Sequence, residues 1–216
     1  MPGSVFGCGS AVAGGAIAVV VPDEREGLTL LSPRSHPHLA DAEKAMFVVI
    51  DMQEPFLRAI HERERVIANV GRLLQGAKIL RVPTISTVQN QKAMGDLIPE
   101  IRSLLPSPPL DKMSFSCYAD RRFSTDVDRS GRKQIVLCGV ESHICVSQTA
   151  LAMLDAGFQV QVCADAVSSR TAENWRIGIE KIRQAGGLVT STESVLFEML
   201  HEAGTTDFRE ILKIVK

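Results

Sequence analysis

Gln134-Ile135-Val136-Leu137-Cys138-Gly139-Val140-Glu141-Ser142-His143-Ile144-Cys145-Val146 is the stretch that decides the fold. Residues 134–138 form an apolar run of strand length, as in a strand buried on both faces of a parallel sheet. Gly139 permits a sharp turn at the carboxyl end of that run. Ser142 suits an N-cap, which predicts a helix over 143–156 with Gly157 as its C′ residue and Cys145 near its first turn. The positive end of a helix favours a thiolate. The carboxyl edge of a parallel sheet is also where α/β proteins hold ligands.

Outward from this stretch, apolar runs alternate with helical patterns. Strands are predicted at 46–50, 83–88, near 110–113, 159–164 and 188–190. Residues 62–80 place Val66, Ile67, Val70, Leu73, Leu74 and Ala77 on one face of a helix. Four prolines (Pro99, Pro106, Pro108, Pro109) make 89–110 loop-rich, with a short helix at 97–105. Further helices are predicted at 119–130, at 172–185 before Gly186-Gly187, and at 194–203 and 207–215. The alternation specifies an α/β fold: a three-layer αβα sandwich, Rossmann-like, with a mostly parallel sheet and helices on both faces.

The 216 residues are 45% hydrophobic and 23% charged, which suits one sizeable domain. Net charge is −1 with the cations scattered, so no basic stripe argues for a nucleic-acid partner. Five cysteines, an odd number without a CxxC, point to a reducing compartment, here the cytoplasm. Residues 1–44 read as an appended, partly flexible extension, and 45–216 as the domain. The Ala- and Val-rich stretch 11–21 resembles a signal-peptide core, but no basic residue precedes it and it is too short to span a bilayer. An extra strand at 16–21 is the alternative, and Cys8 belongs to this tail.

Three positions at strand ends carry chemistry. Asp51 follows five apolar residues, Lys112 sits in a short apolar context, and Cys145 lies past the glycine turn. Together they could take a thiol proton, hold a thiolate, and let helix-start N–H groups hold an oxyanion. Lys112 and the helix start are expected to depress the thiol pKa well below about 8.5. A buried core cysteine beside a capped turn is the competing reading. Competing thiol motifs are absent: no arginine follows Cys145 closely, and His143 and Ser147 stand where a nucleophile elbow needs glycines. No dinucleotide fingerprint or Walker loop occurs. His143 lies two residues from Cys145, which on a helix do not face each other, so it caps or is exposed. His61 starts a helix, His36 and His38 lie in the extension, and His201 lies in a terminal helix; none shows metal-ligand spacing. Trp175 is read as packing.

From about residue 45 to 216 the chain resembles the isochorismatase-like cysteine hydrolases, most of all the isochorismatase-domain-containing branch. The resemblance rests on Val49-Ile50-Asp51-Met52-Gln53-Glu54-Pro55-Phe56, Asp111-Lys112-Met113-Ser114-Phe115-Ser116 and Leu137 to Cys145. Asp165-Ala166-Val167-Ser168-Ser169-Arg170 and Thr190-Ser191-Thr192-Glu193-Ser194 also match. It implies a triad of Asp51, Lys112 and Cys145, in which the cysteine attacks, the aspartate shuttles protons and the lysine tunes both. It implies a cis peptide at Val140–Glu141 that turns the Glu141 N–H toward an oxyanion hole shared with the Cys145 N–H. Phe56, Gln53 and Ser142 are expected at the substrate pocket, Gln53 supporting the first loop. No cofactor, a small-molecule substrate and a homo-oligomer are further implications. Nicotinamidase relatives carry an Asp-x-His metal motif where this chain reads Thr87-Val88-Gln89-Asn90-Gln91-Lys92, so no metal is expected. Retention of Cys145 favours C–N hydrolysis of an amide or ureide through a thioester. The alternatives are vinyl-ether hydrolysis that does not need the cysteine, and an idle binding protein of the same fold.

Overall fold

The computed structural model describes residues 36–216. Its strands are β1 (Ala45–Ile50), β2 (Thr84–Gln89), β3 (Leu110–Lys112), β4 (Gln134–Val140), β5 (Gln159–Ser168) and β6 (Leu188–Thr190). All neighbours pair in parallel, in the order β3-β2-β1-β4-β5-β6. β1 and β4 occupy the middle, and every residue of both is buried, which is why they read as unbroken apolar runs. The chain starts at β1, winds to one edge, then returns to β4 and winds to the other. The carboxyl ends of β1 and β4 therefore flank the crevice where the winding reverses, the usual ligand position in open α/β sheets.

The helices are α1 (Glu54–Leu57), α2 (Arg63–Leu80), α3 (Gln91–Met94), α4 (Pro99–Arg102), α5 (Arg121–Ser130), α6 (Ser147–Asp155), α7 (Ala172–Gln184), α8 (Thr192–Leu200) and α9 (Thr206–Val215). Alternate residues of the strands serve opposite layers. Phe47, Val49, Val136 and Cys138 pack with α2, α8 and α9. Met46, Val48, Ile50, Ile135 and Leu137 pack with α5, α6 and α7. This is the expected αβα sandwich.

Several details differ from the sequence reading. The helix expected from 143 starts as a π-helical turn, Ser142–Val146, which runs into α6. Ser142 does not cap it: its hydroxyl pairs with Ser169 Oγ at 2.5 Å, because the end of β5 lies against the turn. β5 runs on to Ser168, through residues read as loop, with a register irregularity opposite Leu137 to Gly139. The helix expected at 97–105 is one turn, opened by Pro99, with a separate turn before it. α8 begins at Thr192, because the Ser191 side chain accepts the Ser194 N–H as an N-cap.

Of the expected extension, residues 1–35, with Cys8 and the candidate strand, lie outside the described residues. Residues 36–44 are tied to the amino-terminal ends of the central strands. Gln134 Nε2 donates to Leu39 O at 3.0 Å, Gln161 Nε2 to His38 O at 2.9 Å, and the Asp41 N–H to Gln134 Oε1 at 2.8 Å. Among the described residues, no helix is long and apolar enough to cross a membrane.

Candidate active site

The site grows from the order of the strands. β2 lies between β1 and β3, so its last residues stand between Asp51, just past β1, and Lys112, the end of β3. Thr87 and Gln89 are two apart and share one face. Thr87 Oγ1 donates to Asp51 Oδ1 at 2.8 Å. Lys112 Nζ donates to Gln89 Oε1 at 2.7 Å and to Asp51 Oδ2 at 2.7 Å. Asp51 adopts φ 51°, a left-handed conformation that aspartate tolerates better than most residues. Both ions of the pair are 1% exposed. A buried pair of this kind needs its remaining hydrogen bonds filled, and the Ser114 carbonyl supplies another acceptor for Lys112 at 3.2 Å.

Cys145 is delivered from the other side of the crevice. At Gly139, φ is 106° and a Cβ would lie 2.1 Å from Ile50 O, so only glycine lets β4 cross β1 this closely before turning. The Val140–Glu141 peptide is cis. α7 then presses on the turn at Gly178, where a Cβ would lie 2.6 Å from the Ser142 carbonyl. These close approaches bring Cys145 Sγ to 3.9 Å from Lys112 Nζ, and the Asp51 carboxylate is near enough to act on the thiol. The acid, the amine and the thiol thus stand together at one sheet edge.

Electrostatics overturn one expectation. The Cys145 thiol is held above its ordinary range rather than below it: burial is the main cause, the Asp51 charge adds to it, and Lys112 only partly opposes them. The sulfur therefore rests as a thiol. Burial is the largest influence on Lys112 and lowers its pKa, but its interactions with Asp51, Cys117 and Cys145 together outweigh it and raise the pKa. A second thiol, Cys117, lies behind Thr87 at 3.6 Å from its hydroxyl, and burial pushes it up to about 11.

A narrow cleft opens onto the sulfur. Phe56, Phe115, Val140 and Ile144 give it apolar walls, and Asp51, Gln89, Glu141 and Cys145 its polar ones. Phe56, expected at the substrate pocket, lies in this wall. Gln53 is not in the wall: fully buried, it clamps two loops, donating to Gly95 O at 2.8 Å and accepting the Gln89 N–H at 2.7 Å. Ser142 is likewise outside the wall, turned toward Ser169. Glu141 Oε2 accepts from the Arg170 N–H and from Nε, both at 3.1 Å.

Thr87, Gln89, Phe115 and Ile144 were not singled out from sequence. The signal available was Thr87-x-Gln89, two polar residues on one face at the carboxyl end of an otherwise apolar strand. His143 Nδ1 bonds Ser169 Oγ at 2.9 Å, and burial lowers its pKa. His61 is exposed, and its carbonyl accepts from Ser168 Oγ. Trp175 Nε1 donates to Ala164 O at 3.0 Å, and the half-buried ring packs against the core. Among the described residues, no group of three or more His, Cys, Asp or Glu side chains could share a metal ion.

Residues 45–194 match the isochorismatase domain. The chain is 37% identical over 179 residues to the "Secreted isochorismatase effector Isc1" of Phytophthora sojae, covering 80% of this chain and 84% of that one. It is 34% identical over 171 residues to isochorismatase domain-containing protein 2 of Danio rerio, covering 79% and 86%. A solved structure described as MAR1 ribonuclease from Caenorhabditis elegans superposes with TM-score 0.78 at 29% identity, covering 82% of this chain and 92% of that one.

Proposed function

This chain belongs to the isochorismatase family of hydrolases, and within it we propose a cysteine hydrolase that cleaves a C–N bond of a small amide or ureide without a metal. The observation that carries the proposal is the buried Asp51–Lys112 pair, with Lys112 Nζ 3.9 Å from Cys145 Sγ and with Asp51 and Cys145 both lining the cleft. A thiol held protonated beside a carboxylate suits general-base activation, in which the proton leaves as the sulfur attacks. The cleft is narrow and the surface it exposes is mainly apolar, which supports a compact substrate.

Cys145 Sγ forms a bond to the carbonyl carbon, its proton passes to Asp51, and the carbonyl π pair moves onto oxygen. The N–H groups of Glu141 and Cys145 are assigned to hold that oxyanion. The C–N bond then breaks, the nitrogen takes the proton from Asp51, and an amine leaves. Water adds to the thioester, giving a proton to Asp51. The C–S bond breaks and the proton returns to sulfur. Lys112 fixes the carboxylate throughout and balances its charge.

The test is a panel of small amides and ureides with the wild type, Cys145→Ala and Cys145→Ser, with intact-mass detection of an acyl adduct. A substrate-dependent adduct on Cys145, and loss of turnover in both variants, is the expected result. The elevated thiol favours a second reading, in which Asp51 and Lys112 alone run acid–base cleavage of an ether and the cysteine is a bystander. Near-normal turnover by Cys145→Ser with no adduct would select it.

A further inference from the structure

The mechanism above leaves Thr87 unused, although it is fully buried and touches the base directly. A hydroxyl has one proton to give. Asp51 is in contact with Lys112 and acts as an acceptor, so the Thr87 proton goes to Oδ1. Cys117 Sγ, 3.6 Å from the same hydroxyl, must then be the donor in that contact. The hydrogen bonds thus run one way, from Cys117 through Thr87 to Asp51. Lys112 donates to the other carboxylate oxygen at 2.7 Å. With a separate donor on each oxygen, the carboxylate plane is fixed, and its open lone pairs are left for the thiol and for the leaving nitrogen.

We infer that Thr87 is the positioning residue of this reaction: its hydroxyl orients Asp51 so that the carboxylate can take the thiol proton and pass it on to the leaving group. The inference rests on the proposed cysteine hydrolysis. It accounts for a polar side chain in the buried centre of the sheet edge, where an unpaired hydroxyl would be costly. It also separates the duties of the β2 residues, Thr87 fixing the acid and Gln89 the amine. A hydrogen bond donated to a carboxylate lowers its proton affinity, so losing it must raise that affinity.

The experiment is acylation by p-nitrophenyl acetate, followed by nitrophenolate release against pH, with Cys145→Ala subtracted as background. Thr87→Val keeps the shape and removes the donor, and Thr87→Ser keeps the donor and removes the methyl group. The expected result is an acylation rate about tenfold lower in Thr87→Val, as for loss of one charge-assisted hydrogen bond. Its acid limb should move up by about one pH unit, the same change read as proton affinity, with KM unaltered and Thr87→Ser close to wild type. An unchanged limb in Thr87→Val would overturn the inference while leaving Cys145 as nucleophile. So would a Thr87→Ser enzyme as impaired as Thr87→Val, since a variant that keeps the donor would then fail equally. A Cys145→Ala protein that acylates as fast as wild type would instead remove the nucleophile reading, and this inference with it.

Discussion

Cys138 and Cys145 stand on one strand and the turn that follows it, and both are buried, at 0% and 7% exposure. Burial lifts the proton affinity of both sulfurs. Their neighbours differ. Cys138 lies among the apolar side chains of one layer, and the Val48 carbonyl accepts its proton at 3.6 Å. Cys145 lies beside a carboxylate, an ammonium and an open cleft. Chemistry at such an edge is thus a matter of which groups adjoin the sulfur, not of how acidic the sulfur is by itself.

The contrast breaks most sharply through substitution. Cys145→Ala should lower amide turnover by at least about a thousandfold, as removal of a nucleophile does. Cys138→Ala should leave turnover within about twofold and cost stability instead, by about 1 kcal/mol, the usual size for a small buried truncation. Steady-state rates and urea unfolding of the two variants check this. Comparable loss of turnover in both would end the contrast.

Asp51→Asn should separate acidity from activity. Turnover should fall by roughly a hundred- to ten-thousandfold, the range for a lost general base. The Asp51 charge raises the thiol's pKa, so its removal must lower it. The alkaline rise in iodoacetamide labelling of Cys145 should therefore move to lower pH as activity disappears. Labelling followed peptide by peptide also predicts that wild-type Cys145 is slow near pH 6 and that Cys138 and Cys163 stay unlabelled while folded. Fast labelling of the wild type at pH 6 would contradict the raised thiol.

A smaller effect should come from Gly178→Ala. The added Cβ would meet the Ser142 carbonyl at 2.6 Å and displace the turn without touching the sulfur. A cost of about 1–3 kcal/mol is expected, as for other overpacked sites, with slower acylation of Cys145. Gly71→Ala is the control: its Cβ meets only a Leu104 methyl, at 3.9 Å. It should stabilise the protein by about 0.5–1 kcal/mol, the helix preference for alanine over glycine. Thermal unfolding distinguishes the two.

Much of this was legible in the sequence because the relevant signals are local. Runs such as 46–50 and 134–138 are buried on both sides and show it in their composition. Asp51 directly follows one such run, Cys145 lies in the turn after another, and Lys112 closes the short edge strand β3, so the sheet itself gathers them. What was not legible depends on distance across the fold. A helix start and a lysine argue for an acidic thiol, but enclosure and the Asp51 charge, which reverse the sign, exist only once β1 and β4 are side by side. Ser142 looked like a cap until Ser169 arrived from β5. Thr87 and Gln89 pass for ordinary strand residues until the strand order places them between the acid and the amine.

The attachment of residues 38–41 to Gln134 and Gln161 has a practical consequence. These residues enter at the amino-terminal ends of β4 and β5, whereas the cleft opens past the carboxyl-terminal ends of β1 and β4. With a rise of about 3.3 Å per residue, the length of β4 separates the two edges by roughly 20 Å. A fluorophore or a surface tether joined through this amino-terminal approach would thus be anchored on the far rim of the sheet, and an immobilised enzyme would keep its cleft accessible to reagents in flow.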